Sequence, residues 1–211
     1  MPITNGAETG QGVIQQYLDL VGGCSGVFAE VVTCMTNRGS WVERSRHLDQ
    51  EQWGILEDLG IYEAEHEIGL CWYNAQRFAS AASHNRKYRN RIKYWEGIAT
   101  PGFPLPVEHA WCTIDGLIID LTWFTNYDVE QAGHRNRSWK KKWVTNRPLG
   151  IIPEGFAYFG VEITSKRIYP MWLKNGITGA ILPFIWMEEC KKSRSPVRGL
   201  PHREKRALIA G

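Results

Sequence analysis

The chain has 211 residues, of which 43% are hydrophobic and 22% charged, and its formal net charge is +3. These values are ordinary for a soluble globular protein and suit a single domain. No apolar run is long enough to span a bilayer, and the N-terminus lacks the basic and apolar regions of a signal peptide. The cysteines are odd in number and irregularly spaced, which disfavours a disulfide framework and favours a reducing cytoplasm. They are Cys24, Cys34, Cys71, Cys112 and Cys190.

The first half of the chain is predicted to be mainly helical. Residues 1–10 are small and polar and are predicted to be a flexible N-terminus. Apolar residues at helical spacing then predict three helices, with glycine or asparagine near their ends. The helices are predicted at 11–20, 48–59 and 70–83, and 27–35 is compatible with either a helix or a strand.

Strands dominate the second half, so the predicted fold class is α+β, with one domain over 11–190. Strands are predicted at 92–99, 107–114, 117–123 and 156–164, and 168–173 is expected to pair with the last of these. Three prolines predict a loop at 100–106, because proline cannot donate within a ladder. We expect a basic insertion at 125–150, a helix broken at Pro183 within 177–189, and a basic tail at 191–211.

The dipeptide Asp115-Gly116 is a strong signal for a tight hairpin between two of these strands. This turn would place Trp111 opposite Asp120 and His109 opposite Thr122. One face of the hairpin is then wholly apolar, while His109 and Asp120 share the other face as diagonal neighbours, about 7–8 Å apart by backbone. An imidazole–carboxylate hydrogen bond is within side-chain reach there, and the carboxylate would favour the imidazolium form.

A thiol begins the helix that precedes the hairpin. Cys71 follows Gly69-Leu70, and its own helix face is made of Ala75, Phe78, Ala79 and Ala82, which are mostly small. A helix N-terminus and a nearby imidazolium both lower a thiol pKa, as a nucleophile requires. The alternatives are that Cys71 is a small buried hydrophobe, the common fate of a free cysteine, or that Cys24 in Gly22-Gly23-Cys24-Ser25-Gly26 is the nucleophile.

Four short motifs together resemble the transglutaminase-like branch of the papain-like cysteine protease superfamily, as found in small bacterial and phage proteins. They are Gly69-Leu70-Cys71 with Ala75, Tyr94-Trp95-Glu96-Gly97, His109-Ala110-Trp111 and Asp120-Leu121-Thr122. The resemblance implies a nucleophilic cysteine at the head of a helix packed on an antiparallel sheet. It also implies a strand ending in a glycine turn, followed by the histidine strand and the aspartate strand.

The same resemblance implies a Cys-His-Asp triad that transfers acyl groups through a thioester. Cys71 would be the nucleophile, His109 the general base and acid, and Asp120 the residue that orients His109. The acceptor, water or an amine, stays open, and the substrate would be a protein, peptide or other amide. No cofactor is expected. The oxyanion would bind the Cys71 backbone N–H and a further donor, and the oxyanion or substrate candidates are Asn74, Trp111, Tyr94, His66, Tyr62 and Trp53.

Other classes of function have weaker support in the sequence. The histidines show no metal-ligand spacing, and no phosphate-binding glycine loop is present. The alternative to an enzyme is a non-catalytic papain-like module that binds nucleic acid or another acidic partner. Its basis is three basic clusters, at 86–93, 135–147 and 191–206, interleaved with Tyr88, Tyr94, Trp139 and Trp143. Such clusters are more often solvated surface.

Overall fold

The computed structural model describes residues 10–61, 69–101, 105–123, 149–175 and 179–193. Most of the predicted N-terminal segment, basic insertion and C-terminal tail lies outside these ranges. None of the helices within them is long and apolar enough to cross a membrane. The helices are α1 (Gly10–Gly22), α2 (Val27–Arg38), α3 (Gln50–Asp58), α4 (Cys71–Ser83), α5 (Ile168–Asn175) and α6 (Leu182–Ser193). The strands are β1 (Ser40–Trp41), β2 (Ile92–Pro101), β3 (Val107–Ile114), β4 (Leu117–Ile119) and β5 (Phe156–Ile163).

The strands form one antiparallel sheet in the order β1-β5-β2-β3-β4. The α+β class predicted from the sequence is therefore confirmed. The main core joins one face of this sheet to the helices, with Ile14 of α1, Val32 of α2 and Phe78 of α4 fully buried in it. The opposite face carries a second buried cluster, which contains Val42, Ala99, Trp111, Ile118 and Tyr158.

The predicted helices of the first half are confirmed, and the ambiguous segment 27–35 lies within α2. A capping box fixes the start of α3, where Asp49 accepts from the Gln52 backbone N–H and Gln52 returns a hydrogen bond to Asp49 N. In α4, the face of small residues is buried as expected: Cys71, Ala75, Phe78, Ala79 and Ala82 all lie in the core. This lack of bulk lets α4 pack closely against the sheet.

The hairpin forms at Asp115-Gly116 with the predicted register. Ile114 pairs with Leu117 and Cys112 with Ile119. Both turn residues are left-handed, with φ of 52° at Asp115 and 84° at Gly116, as a type I′ turn requires. Arg91 clamps the turn from β2's N-terminal side, since its Nε and Nη2 donate to the two Asp115 carboxylate oxygens at 3.0 and 2.6 Å.

The strand after the hairpin is shorter than predicted, because it ends at Ile119 rather than at Trp123. Asp120 Oδ1 accepts hydrogen bonds from the backbone N–H groups of Thr122 and Trp123, both at 3.0 Å. Those two N–H groups are therefore turned towards a side chain and not towards a neighbouring strand. Aspartate commonly competes with the ladder in this way.

Segment 168–173 was predicted as a strand, and this prediction is wrong: it forms α5. Its buried residues, Ile168 and Met171, are three positions apart, while Tyr169 and Leu173, four apart, are exposed. That spacing is helical. Pro170 falls in the first turn of the helix, where an N–H group has no intrahelical acceptor, so its absence has no cost. In a strand, proline would remove a backbone hydrogen bond to the neighbouring strand.

Two further boundaries differ from the prediction. β2 runs from Ile92 through Gly97 to Pro101, so the predicted strand 92–99 is confirmed and extends into the predicted loop, and Gly97 is not in the turn that the family resemblance implies. Gly97 instead pairs with Gly160 of β5, and a side chain at Gly97 would come within 2.1 Å of the Phe159 carbonyl oxygen. The helix near Pro183 is also unbroken, because Pro183 is the second residue of α6 and again lies in a first turn.

We expect Gly116→Ala to lower the free energy of unfolding by about 1–2 kcal/mol, the cost of a left-handed non-glycine residue. A Cβ at this position would also lie 3.1 Å from Arg44 Cδ. The control is Gly54→Ala within α3, where a Cβ meets nothing within 4 Å and should raise stability by about 0.5–1 kcal/mol. Urea denaturation measures both, and two changes of the same sign would contradict the prediction.

Candidate active site

Cys71 is the first residue of α4, as the sequence predicts. Gly69 precedes it with a φ of 82°, and the N-cap residue, Leu70, makes no side-chain capping bond. The first-turn N–H groups are therefore not occupied by an N-cap side chain. Cys71 is 6% exposed, and its side chain is near enough to His109 to contribute to the raised pKa of that residue. The helix thus delivers its thiol to the sheet.

His109 and Asp120 meet directly. His109 Nε2 lies 2.7 Å from Asp120 Oδ2, which realises the diagonal contact predicted from the hairpin register. His109 is 3% exposed and Asp120 is 0% exposed. Because Nε2 faces the carboxylate, the ring nitrogen left for Cys71 is Nδ1. A carboxylate bound to an imidazole, with a thiol nearby, is the set of groups that nucleophilic catalysis uses.

The carboxylate of Asp120 has partners for both of its oxygens. Oδ1 accepts from the backbone N–H groups of Thr122 and Trp123, and Oδ2 accepts from the Tyr158 hydroxyl at 3.0 Å as well as from His109. These donors stabilise the negative charge in a position without water contact. They also fix the plane of the carboxylate and hence the direction from which it meets the imidazole.

Aromatic rings surround the imidazole. The indole of Trp123 is parallel to the His109 ring, with centroids 4.0 Å apart and an angle of 8° between the planes. Trp111 lies further away, at 6.3 Å, and the Tyr158 ring meets Trp111 edge-on at 5.3 Å. Gly97 is the β2 partner of His109 in the ladder, and Gly97 pairs in turn with Gly160. A Cβ at Gly160 would lie 2.7 Å from Trp111 Cη2, so this glycine leaves the space that the Trp111 ring fills.

The pKa of His109 reflects two opposing effects. Burial lowers it, but the charge of Asp120, the hydrogen bond to Asp120 and smaller contributions from Cys71 together raise it, from 6.5 to about 9. The imidazolium is thus the favoured form at neutral pH.

The other cysteines are less suited to nucleophilic chemistry. Burial raises the pKa of the Cys112 thiol, which donates to the Ala75 carbonyl and holds α4 against β3. Cys34 is buried in the core. Cys24, the rival nucleophile, is exposed between α1 and α2, where its thiol donates to the Leu20 carbonyl at 3.5 Å. No contact of Cys24 with a histidine is found within the described ranges.

Two of the predicted oxyanion or substrate residues have other partners in the structure. Asn74 is buried, and its Nδ2 donates to Thr122 Oγ1 at 2.9 Å, so it ties α4 to the turn after Asp120 rather than lying on the helix surface. Tyr94 is on the main-core face of β2, where its hydroxyl donates to Glu96 at 2.5 Å and accepts from Gln76 at 3.0 Å. Both side chains therefore hold α4 in place.

The remaining candidates are distributed differently. Trp111 is fully buried beside His109, and its Nε1 has no hydrogen-bond partner among the described residues. Trp53 is partly buried against the main core. His66 and Tyr62 lie outside the described residues, so the second oxyanion donor stays a prediction.

The contacts around the first basic cluster weaken the nucleic-acid alternative. Tyr88 and Tyr94 are buried and cannot stack on bases. Acidic side chains neutralise three of the cations in this cluster: Lys87 with Asp58, Arg91 with Asp115 and Glu51, and Lys93 with Glu162. The second and third clusters, with Trp139 and Trp143, lie outside the described side chains. Within the described part of the chain, no group of three or more metal-ligating side chains is present.

Two residues of the site were not predicted from the sequence, Trp123 and Tyr158. Trp123 stands three residues after Asp120, and that proximity was the available signal. Tyr158 reaches Asp120 from β5 and lies opposite Ala99 of β2, whose small side chain leaves room for the phenol. The order of the strands decides this contact, and no local pattern shows it.

The raised pKa of His109 predicts how stability depends on pH. Since the folded value is above the unfolded one, the dyad's contribution is complete below pH 6.5 and is lost as the pH rises through about 9. We expect the unfolding free-energy difference between the wild type and His109→Gln to shrink by about 1–3 kcal/mol between about pH 6 and about pH 10. Urea denaturation at each pH measures it, and a difference that is constant or grows would contradict the prediction.

Comparisons of the chain with protein-family models, with curated proteins and with solved structures found no match. The function of this site is therefore inferred from its own residues: a thiol at a helix N-terminus, a buried imidazole beside it, and a fully hydrogen-bonded carboxylate behind the imidazole.

Proposed function

We propose that this protein is a cysteine-dependent acyl-transfer enzyme that uses Cys71, His109 and Asp120 as a catalytic triad. The observation that carries the proposal is the buried hydrogen bond between His109 and Asp120, with the Cys71 side chain close enough to raise the His109 pKa. Three elements supply these groups: the N-terminus of α4, the strand β3 and the turn after β4.

The first requirement is a thiolate at neutral pH. A free thiol has a pKa of about 8.5, so only a small fraction is ionised at pH 7. The positive end of the α4 dipole and the His109 imidazolium both stabilise the anion at Cys71. Transfer of the thiol proton to Nδ1 gives a thiolate–imidazolium pair, and Asp120 stabilises the ring after it has become charged.

Acylation then proceeds by attack of the Cys71 sulfur on a carbonyl carbon. A C–S bond forms and the carbonyl electrons move to oxygen, which gives a tetrahedral oxyanion. The His109 Nδ1–H donates its proton to the leaving nitrogen or oxygen as that bond breaks. The products of this half-reaction are a thioester on Cys71 and a neutral amine or alcohol.

Deacylation reverses these roles. The attacking group is either water or an acceptor amine. Neutral His109 accepts a proton from this group as it attacks the thioester carbonyl. The C–S bond breaks, and the thiolate and imidazolium are restored. Water gives a hydrolase and an amine gives a transferase, and both reactions use the same three residues.

The oxyanion needs donors near Cys71. The Cys71 backbone N–H is in the first turn of α4, where intrahelical acceptors are lacking and no N-cap side chain makes a capping bond. Like the other N–H groups of the first turn, it points out of the N-terminal end of the helix. We therefore assign the first oxyanion donor to this N–H, in the manner of other acyl-transfer sites.

The core of α4 against the antiparallel sheet is further proposed to be of the papain-like, transglutaminase-like type. The chain order supports this: the cysteine helix is followed by β2, the histidine strand and the aspartate segment. One feature departs from the family pattern, because Gly97 is within a continuous strand and not in a turn.

The test of the proposal is the pH dependence of Cys71 alkylation by iodoacetamide, mapped by peptide mass. We expect Cys71 to react well below pH 8 and to lose this reactivity in His109→Gln, because the imidazolium no longer stabilises the thiolate. Cys24, which is exposed, is the internal control for an ordinary thiol. If Cys71 reacts no faster than Cys24 at low pH, the catalytic proposal fails.

A second prediction concerns the orienting carboxylate. In Asp120→Asn, the amide oxygen can keep the two backbone N–H bonds, while the amide NH₂ donates to His109 Nε2. The neutral ring then carries its proton on Nδ1 and cannot accept the thiol proton. We expect turnover of any substrate to fall roughly 10²–10⁴-fold, with Cys71 alkylation at mildly acidic pH also slowed.

The control for this variant is a measurement of whether it remains folded. Circular dichroism and urea denaturation should show that Asp120→Asn remains folded while its thiol loses reactivity. A variant that is less stable but keeps the wild-type pH profile of alkylation would show that Asp120 has a structural role alone.

A further inference from the structure

The closest aromatic contact of the site is made by a residue outside the proposed triad. The Trp123 indole covers one face of the His109 imidazole at 4.0 Å and within 8° of parallel. At that separation the two rings are in van der Waals contact over their faces. Trp111 is further from His109, at 6.3 Å and 22°, and Trp95 stacks on Trp111 rather than on His109.

Trp123 is held in this position from two sides. Its backbone N–H donates to Asp120 Oδ1 at 3.0 Å. Its indole meets Phe156 edge-on at 5.7 Å and lies 5.6 Å from the Tyr158 ring. One residue therefore contacts both partners of the dyad, the carboxylate through its backbone and the imidazole through its side chain.

We propose that Trp123 is a positioning residue of the site. Its indole fixes the rotation of the His109 ring, so that Nε2 faces Asp120 and Nδ1 faces Cys71, and it stabilises the ring in its protonated form. This role rests on the proposed function, in which the imidazolium is the partner of the Cys71 thiolate.

The physical basis is the interaction between a cation and an aromatic face. Indole is the aromatic side chain that attracts cations most strongly, and the attraction grows when water is excluded, as it is at His109. The titratable groups that face His109 from the described elements are Asp120 after β4, Cys71 on α4 and the Tyr158 phenol on β5. Removal of the indole leaves these three groups in place, so its own contribution is separable.

The first test uses the unmutated protein. A ring stacked on an imidazole shifts the imidazole proton resonances upfield through its ring current. We expect the His109 ring protons, assigned by their loss in His109→Gln, to be shifted upfield of the other histidines. Resonances at ordinary positions would show that the stack is absent in solution and would overturn the proposal without any Trp123 variant.

The second test compares Trp123→Leu and Trp123→Phe with the wild type by NMR titration of His109. Loss of the cation–aromatic attraction should lower the His109 titration midpoint by about 0.4–1.5 pH units in Trp123→Leu. Trp123→Phe keeps an aromatic face and should recover part of this shift. The matched control is Trp95→Leu, which removes an indole that stacks on Trp111 and should leave the midpoint unchanged.

In this second test, two results would overturn the proposal: an unchanged midpoint in a folded Trp123→Leu, or an equal shift in Trp95→Leu. If Trp123→Leu does not fold, Trp123→Phe and the unmutated spectrum decide the question. The outcome is distinguishable from failure of the proposed function. Slow Cys71 alkylation in the wild type would reject the proposed enzyme. The role of Trp123 alone would be rejected if Cys71 is reactive, its pH profile is the same in the wild type and Trp123→Phe, and the His109 resonances are not shifted upfield.

Discussion

The buried contact between His109 Nε2 and Asp120 Oδ2 is the interaction on which the site depends. Both groups are almost fully removed from water, and an isolated carboxylate there would cost several kcal/mol in lost hydration. The structure offsets that cost with hydrogen bonds, since the imidazole, the Tyr158 hydroxyl and the backbone N–H groups of Thr122 and Trp123 all donate to Asp120. A carboxylate that is hydrogen-bonded and buried in this way interacts with the imidazole without being screened by water.

The thiol reaches this dyad because α4 is fixed in three places. The Cys112 thiol donates to the Ala75 carbonyl, Asn74 donates to Thr122, and Gln76 donates to the Tyr94 hydroxyl. The last bond continues into a buried network in which Tyr94 donates to Glu96, and the Glu96 carboxylate accepts the N–H groups at the start of α6. Burial raises the pKa of Glu96 to about 7, although these hydrogen bonds oppose the change. The network thus joins α4, the sheet and the start of α6.

The parts of the structure that could be predicted from sequence are those decided by neighbours in the chain. The Asp115-Gly116 turn sets the register, and the register places His109 near Asp120. The small face of α4 likewise predicts close packing for Cys71. Contacts decided by strand order could not be predicted in this way: Tyr158 meets Asp120 because β5 lies beside β2, and the sequence of β5 alone carries no sign of that neighbour.

Two segments were assigned to strands incorrectly, because their apolar composition was given more weight than the proline or aspartate within them. The apolar residues at 168–173 suited a strand by composition, but Pro170 favours a first helical turn and the buried positions are three apart. Asp120 was expected inside a strand, yet its carboxylate is the acceptor that ends the strand. The hydrogen bonds from the backbone N–H groups to Asp120 that end the strand also belong to the site. They hold the carboxylate in a fixed orientation towards the His109 imidazole.

Burial changes gradually across the three proposed catalytic groups, and this order suits acyl transfer. The exposed fraction rises from 0% at Asp120 to 3% at His109 and 6% at Cys71. The Asp120 carboxylate, which keeps its charge throughout the reaction, is the most buried group, so water screens its interaction with the imidazole least. Cys71, whose sulfur must meet a substrate carbonyl, is the least buried of the three residues. A reversed order would have left the orienting ion pair screened by water.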